Sequence, residues 1–154
     1  MQQTMKKTII LKVLSVLFLL FTVHLTFGQG SRYTGSFTKS SPIKYEGKKD
    51  FVIEGLEFTN GTVHLIALYN CENVIIRNNR FASTPTKLGI YLYGCKNVTI
   101  VDNTFEDVQS GLLASTSQGI KFEHNDLTNI VGPLKGGVPI GVMAQFNTVS
   151  GSGN

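Results

Sequence analysis

The chain has 154 residues, enough for one domain or for a leader followed by one small domain. It is 42% hydrophobic and only 16% charged, which excludes a disordered chain, and two cysteines are too few for a disulfide-built mini-protein. The formal charge of +4 does not describe the folded part: Lys6, Lys7 and Lys12 lie in the first 28 residues, which hold no acid, and the remainder carries eleven basic against ten acidic residues. A nucleic-acid binder keeps its basic excess in the folded part, so that class is set aside.

Residues 1–28 read as a secretory signal peptide. Lys6 and Lys7 form a positive start, Thr8 to Phe27 is almost wholly apolar, and Thr26 and Gly28 occupy the −3 and −1 places for cleavage before Gln29. The competing reading is an uncleaved membrane anchor, for which the apolar stretch is just long enough if tilted. His24, the small residues at the end and the polar segment that follows favour cleavage. The expected location is therefore secreted (extracellular, periplasmic or cell-surface), with no membrane contact after cleavage.

Residues 29–49 are rich in Ser, Thr, Gly and Lys and form a lead-in or cap. From there the chain repeats itself. Four octets, FVIEGLEF (51–58), VIIRNNRF (74–81), VTIVDNTF (98–105) and IKFEHNDL (120–127), start 23, 24 and 22 residues apart. Their first, third and eighth positions are all apolar, and the second and fourth are mixed. This is the period-two pattern of a strand with one buried face. The sixth position repeats an amide at Asn79, Asn103 and Asn125, which predicts a buried amide ladder at a corner.

A second strand precedes each octet, at 65–69, 89–93, 111–115 and 141–145. Ile66, Ile90, Leu112 and Val142 share one inward position, and Leu68, Leu92, Ala114 and Ala144 the next. Ala67, Tyr91, Leu113 and Met143 then point outward, as do Tyr69, Tyr93, Ser115 and Gln145. No sustained 3.6-residue period follows Phe27, and no leucine-rich-repeat frame is present, so the expected fold is all-β. It is a solenoid of short strands, each stacked on its equivalent one coil later. About four coils of 22–24 residues fill residues 50–154.

The unit G-I-x-L-x-G-C-x-N-V-T-I-x-x-N-x-F at 89–105 resembles the right-handed parallel β-helix repeat of the pectate-lyase-like superfamily, over about residues 43–150. That fold hosts lyases, hydrolases, epimerases, adhesins and tailspikes, so the resemblance implies architecture rather than activity. Its glycoside hydrolases show Asn-Thr-Asp, Asp-Asp and Gly-His-Gly clusters, and its pectate lyases a calcium-binding Asp cluster with a downstream Arg. None of these is found here.

The segment NIVGPLKGGVP at 129–139 breaks the period and reads as a loop. The chain ends at Gly151-Ser152-Gly153-Asn154 with no complete C-terminal cap, so the reading is of a fragment or early-terminated copy of a longer β-helix protein. Cys71 and Cys95, at one repeat position, read as two buried thiols filling a core corner, with a cross-link left open.

Two outward groups carry candidate chemistry. Asp102 and His124 share the fifth octet position and become stacked neighbours, a carboxylate beside an imidazole suited to general acid–base work. Arg77 and Glu123 at position four and Arg80 and Asp126 at position seven surround them. No metal site is assigned; Asp102, Glu123 and Asp126 could offer hard oxygen ligands to calcium. The second group is Tyr69, Tyr91 and Tyr93, an aromatic row suited to the apolar faces of sugar rings. Arg77 and Glu123 join it as candidate substrate-binding residues. Against both stand plainer readings, a solvated corner of mixed charge and a strand-stabilising tyrosine ladder. The expectation is a secreted, monomeric β-helix domain of a protein that binds or degrades extracellular polysaccharide, as lyase or hydrolase. A non-catalytic scaffold, adhesin or glycan-binding surface protein is the alternative.

Overall fold

The alternation of the repeats has one economical solution, in which each apolar edge is covered by its own equivalent in the next coil. The computed structural model describes residues 33–61 and 63–132 and the backbone of 142–145 and 149–150. The leader, most of the 129–139 loop and the last four residues lie outside the described residues, as do the side chains of Met143 and Gln145.

Among the described residues, thirteen strands run in order: β1 (Thr38–Lys39), β2 (Ile43–Glu46), β3 (Lys49–Glu54), β4 (Leu56–Phe58), β5 (His64–Tyr69), β6 (Glu72–Arg77) and β7 (Arg80–Tyr93). They continue with β8 (Lys96–Val101), β9 (Thr104–Ser115), β10 (Gln118–Glu123), β11 (Asp126–Thr128), β12 (Val142–Gln145) and β13 (Val149–Ser150). One sheet stacks β3, β6, β8, β10 and β13; the other joins β1, β2, β4, β5, β7, β9, β11 and β12. Every pairing is parallel. The described repeats form a right-handed β-solenoid of about four turns.

The register is the one the octets predict. Phe51, Val74, Val98 and Ile120 stack in one column, and Ile53, Ile76, Ile100 and Phe122 in another. Phe58, Phe81, Phe105 and Leu127 form a third. Nearly all of these side chains are buried, each contributing about 1.5–3 kcal/mol relative to exposure. The rings of Phe58, Phe81 and Phe105 lie almost parallel, with centroids 5.1 and 4.6 Å apart. The preceding strands also pair as expected: Ile66, Ile90, Leu112 and Val142 share a column, as do Leu68, Leu92, Ala114 and Ala144.

The octet is not one strand. It bends at its fifth position, where Gly55, Asn78, Asp102 and His124 take φ values of 68°, 52°, 55° and 51°. Only glycine adopts this left-handed region freely, and Asn, Asp and His are the side chains that visit it most readily. The bend moves positions seven and eight onto the other sheet. A second difference is that Ala67, assigned outward, is buried at 6% exposure beneath its neighbours.

The amide ladder occupies the same corner. Asn79, Asn103 and Asn125 are at most 1% exposed. Asn103 Oδ1 accepts from the Asn79 backbone N–H at 3.0 Å, and Asn125 Oδ1 from the Asn103 N–H at 3.0 Å. Asn103 Nδ2 donates to the Ile76 and Val101 carbonyls at 2.9 and 3.0 Å. A second inner corner holds Cys71, Cys95 and Ser117. Both cysteines are free, buried thiols, and the Cys95 N–H donates to Ser117 Oγ at 3.0 Å.

The coils are not identical. Between Thr84 and Leu88 the register of β7 on β9 shifts, because three residues of β7 face one of β9. Beside this bulge, Thr84 is buried and its hydroxyl has no hydrogen-bond partner among the described residues.

Candidate functional site: a tyrosine platform

The outer surface of β2, β5, β7 and β9 carries two columns. One runs Lys44, Ala67, Tyr91, Leu113; the other runs Glu46, Tyr69, Tyr93, Ser115. Three of the five tyrosines of the chain therefore converge on one face. Tyr69 meets Tyr91 edge-on at 5.7 Å and Tyr93 at 6.5 Å with a 44° tilt. Tyr93 is the most open of the three, at 44% exposure.

Two residues that the sequence reading missed complete the group. The His64 ring stacks on Tyr91, with centroids 4.6 Å apart and 16° between planes. Lys44 Nζ lies 5.2 Å from the centre of the Tyr69 ring, within cation–π range. Extending the tyrosine columns back by one 23-residue coil reaches Lys44 and Glu46, so that signal was present. His64 gave none, because strict alternation would place it with the inward Ile66.

Burial lowers the His64 imidazole below its ordinary value of 6.5, which favours the neutral ring at neutral pH. Burial, reinforced by the phenols of Tyr69 and Tyr93, raises the Tyr91 phenol. The platform thus combines three phenols and an imidazole, with the Lys44 side chain beside them. It offers flat apolar rings with hydrogen-bonding tips, a combination suited to amphipathic ligands.

The other candidates sit elsewhere. Asp102 and His124 are neighbours across β8 and β10, where Val101 pairs with Glu123 immediately before them. No hydrogen bond or ion pair joins their side chains among the described residues. Their shared column has a backbone reason for its composition, the left-handed corner. Arg77 and Glu123 share a column, but Val101 stands between them. Arg77 Nε instead donates to Glu54 Oε2 at 2.7 Å, in an exposed pair. Arg80 bridges Glu57 and Glu106 across coils at 2.5 and 2.9 Å, and its hydrogen bonds to Glu106 and Glu57 raise its pKa. Among the described residues, no three His, Cys, Asp or Glu side chains are grouped to hold a metal ion.

The platform and the Asp102/His124 corner do not form one cleft. The six-residue strands β6 and β8 separate their two ends of the sheet by about 20 Å. A concavity of about 430 Å³ lies at the first coil, walled by Ile43, Tyr45, Phe51, Ile53 and Leu56. Its apolar wall packs against the core and its rim carries the exposed Lys48, Lys49, Val52 and Glu54, so it lies apart from the platform residues. No helix among the described residues is long and apolar enough to cross a membrane.

No curated protein matches the chain. Among solved structures it is similar to a provisionally assigned glycosyl hydrolase from Parabacteroides merdae, with 22% identity and a TM-score of 0.47. That likeness covers 59% of this chain and 39% of the other, so the chain spans well under half of that protein's length. The family model described as right handed beta helix region matches residues 20–152. With its columns stacked in register over those same repeats, the chain belongs to the right-handed β-helix family.

Proposed function

We propose that this chain binds extracellular polysaccharide through the tyrosine platform on β5 and β7, as a glycan-contacting domain of an exported protein. One observation supports the reading above all: Tyr69, Tyr91 and Tyr93 meet on one accessible face with Lys44 at its edge. Sugar rings present apolar C–H faces with hydroxyls around the rim. Stacked tyrosines offer the matching apolar face, with phenol groups at its edge for the hydroxyls. Export rests on the pattern of residues 1–28. Binding is preferred to catalysis because Asp102 and His124 stand a strand's length from the aromatic rings, with no hydrogen bond between their side chains among the described residues.

Affinity electrophoresis through gels containing hydroxyethyl cellulose, xylan, polygalacturonate or alginate tests the reading. At least one polysaccharide should retard the protein, and Tyr93→Ala and Tyr69→Ala should each weaken binding about tenfold, as loss of a buried aromatic anchor does. Absorbance from unsaturated products should not rise on any of the four. Free migration in every gel, or equal retardation of the tyrosine variants, would overturn it.

A further inference from the structure

We propose that His64 is a positioning residue of the platform: it pins Tyr91 as a buttress, leaving Tyr69 and Tyr93, one coil apart, as the rings on which a sugar stacks. The assignment of ligand-stacking rings rests on the glycan-binding reading above; the pinning of Tyr91 does not.

Tyr91 is held on two sides. His64 covers it nearly face to face at 4.6 Å, and Tyr69 meets it at 5.7 Å with the planes 69° apart. Both partners lie on β5, the strand preceding it in the stack. The ring of Tyr91 therefore leans from β7 toward β5. The residue paired with Tyr91 on β5 is Ala67, small and almost fully covered. A larger side chain at 67 would occupy the space over which the ring leans. The reach of Tyr91 thus depends on two features of β5, a short residue beneath and an aromatic ring at the strand's start.

Tyr93 is placed differently. Its ring touches Tyr69 only at a 44° tilt and 6.5 Å, and it is the most exposed of the three. Tyr69 has Lys44 on the side toward the first coil and Tyr93 on the next. A sugar can stack on the exposed Tyr93 without displacing a ring, whereas one face of Tyr91 is already taken by His64. Rings held in place before binding lose less freedom when the ligand arrives, which is how a buttress raises affinity without touching the ligand.

The test has one arm that needs no ligand. Nitration with tetranitromethane, mapped by mass spectrometry, should modify Tyr93 first and spare Tyr91. In His64→Ala, Tyr91 should be nitrated about fivefold faster, because its covered face opens. His64→Phe, which keeps a flat ring, should restore protection; His64→Gln serves if the alanine variant does not fold. The second arm uses the four polysaccharide gels, read in whichever retards the wild type. There His64→Ala should weaken binding about tenfold, by loss of pre-ordering, and His64→Phe should recover it. Equal nitration of Tyr91 and Tyr93 in the wild type, unchanged protection in His64→Ala, or failure of His64→Phe to restore it would overturn the proposal. Free migration of the wild type in all four gels would sink the glycan reading and the assignment of Tyr69 and Tyr93 as stacking rings, while the nitration arm would still decide whether His64 pins Tyr91.

Discussion

Asn103→Ala should be among the most damaging substitutions in the molecule. Asn103 is the middle rung of the buried ladder. Its removal strips the Asn79 backbone N–H of an acceptor at 3.0 Å, at a position 1% exposed where water cannot readily replace it. Leaving a buried donor unpaired costs about 1–3 kcal/mol. The donations of Nδ2 to the Ile76 and Val101 carbonyls are lost as well, at about 1 kcal/mol each in net terms. Asn125 Oδ1 keeps the residue-103 backbone N–H, so the rung in the next coil is only partly disturbed. The expected total is about 3–5 kcal/mol, a large share of the usual stability of a domain. The chain has no Trp, so urea unfolding is best followed by far-ultraviolet circular dichroism, with the slope m compared between variants. Glu54→Gln is the control, since its pair with Arg77 is about half exposed and its loss should cost no more than about 0.5 kcal/mol. A cost under about 1 kcal/mol for Asn103→Ala at unchanged m, or equal costs for the two variants, would refute the account of the corner.

Three further outcomes follow from other places in the coil. Gly89→Ala should destabilise by about 1–3 kcal/mol, because a Cβ there would stand 2.8 Å from both the Gly111 carbonyl oxygen and the Phe105 ring; a melting temperature equal to wild type would count against this. Thr84→Val should stabilise by about 1 kcal/mol, read as a higher urea midpoint, because it removes a buried hydroxyl without a partner in nearly the same shape. Burial raises the Cys95 thiol above its ordinary value of 9.0, so folding favours its neutral form. That contribution is complete below the pKa of the unfolded thiol and is lost as pH rises through the folded value. The drop in melting temperature between pH 8 and 10 should therefore be smaller in Cys95→Ala, and Ellman's reagent should reach the thiols only after unfolding.

Much of the fold was legible because a stacked coil demands the same side chain at the same height. Phe81 lies on Phe58 and beneath Phe105, and that demand leaves a 23- or 24-residue echo in the sequence. The corner was half legible. The amides at 79, 103 and 125 announced a ladder, but alternation gave no sign that the residue before each would turn left-handed and send positions seven and eight to another sheet. Asp102 and His124 accordingly looked like a chemical pair, although a backbone constraint alone accounts for an aspartate and a histidine there. The tyrosine columns were legible from register. His64 was not, because its contact with Tyr91 depends on where one side chain swings rather than on which residues repeat.

The fifth octet position also bears on how such a protein can change over time. To the backbone, Gly55, Asn78, Asp102 and His124 are equivalent tenants of one conformation. To anything arriving from solvent they differ as a bare hydrogen, an amide, an acid and a base. New reactivity can therefore be tried along this rail, one rung at a time, with little disturbance to the shaft behind it.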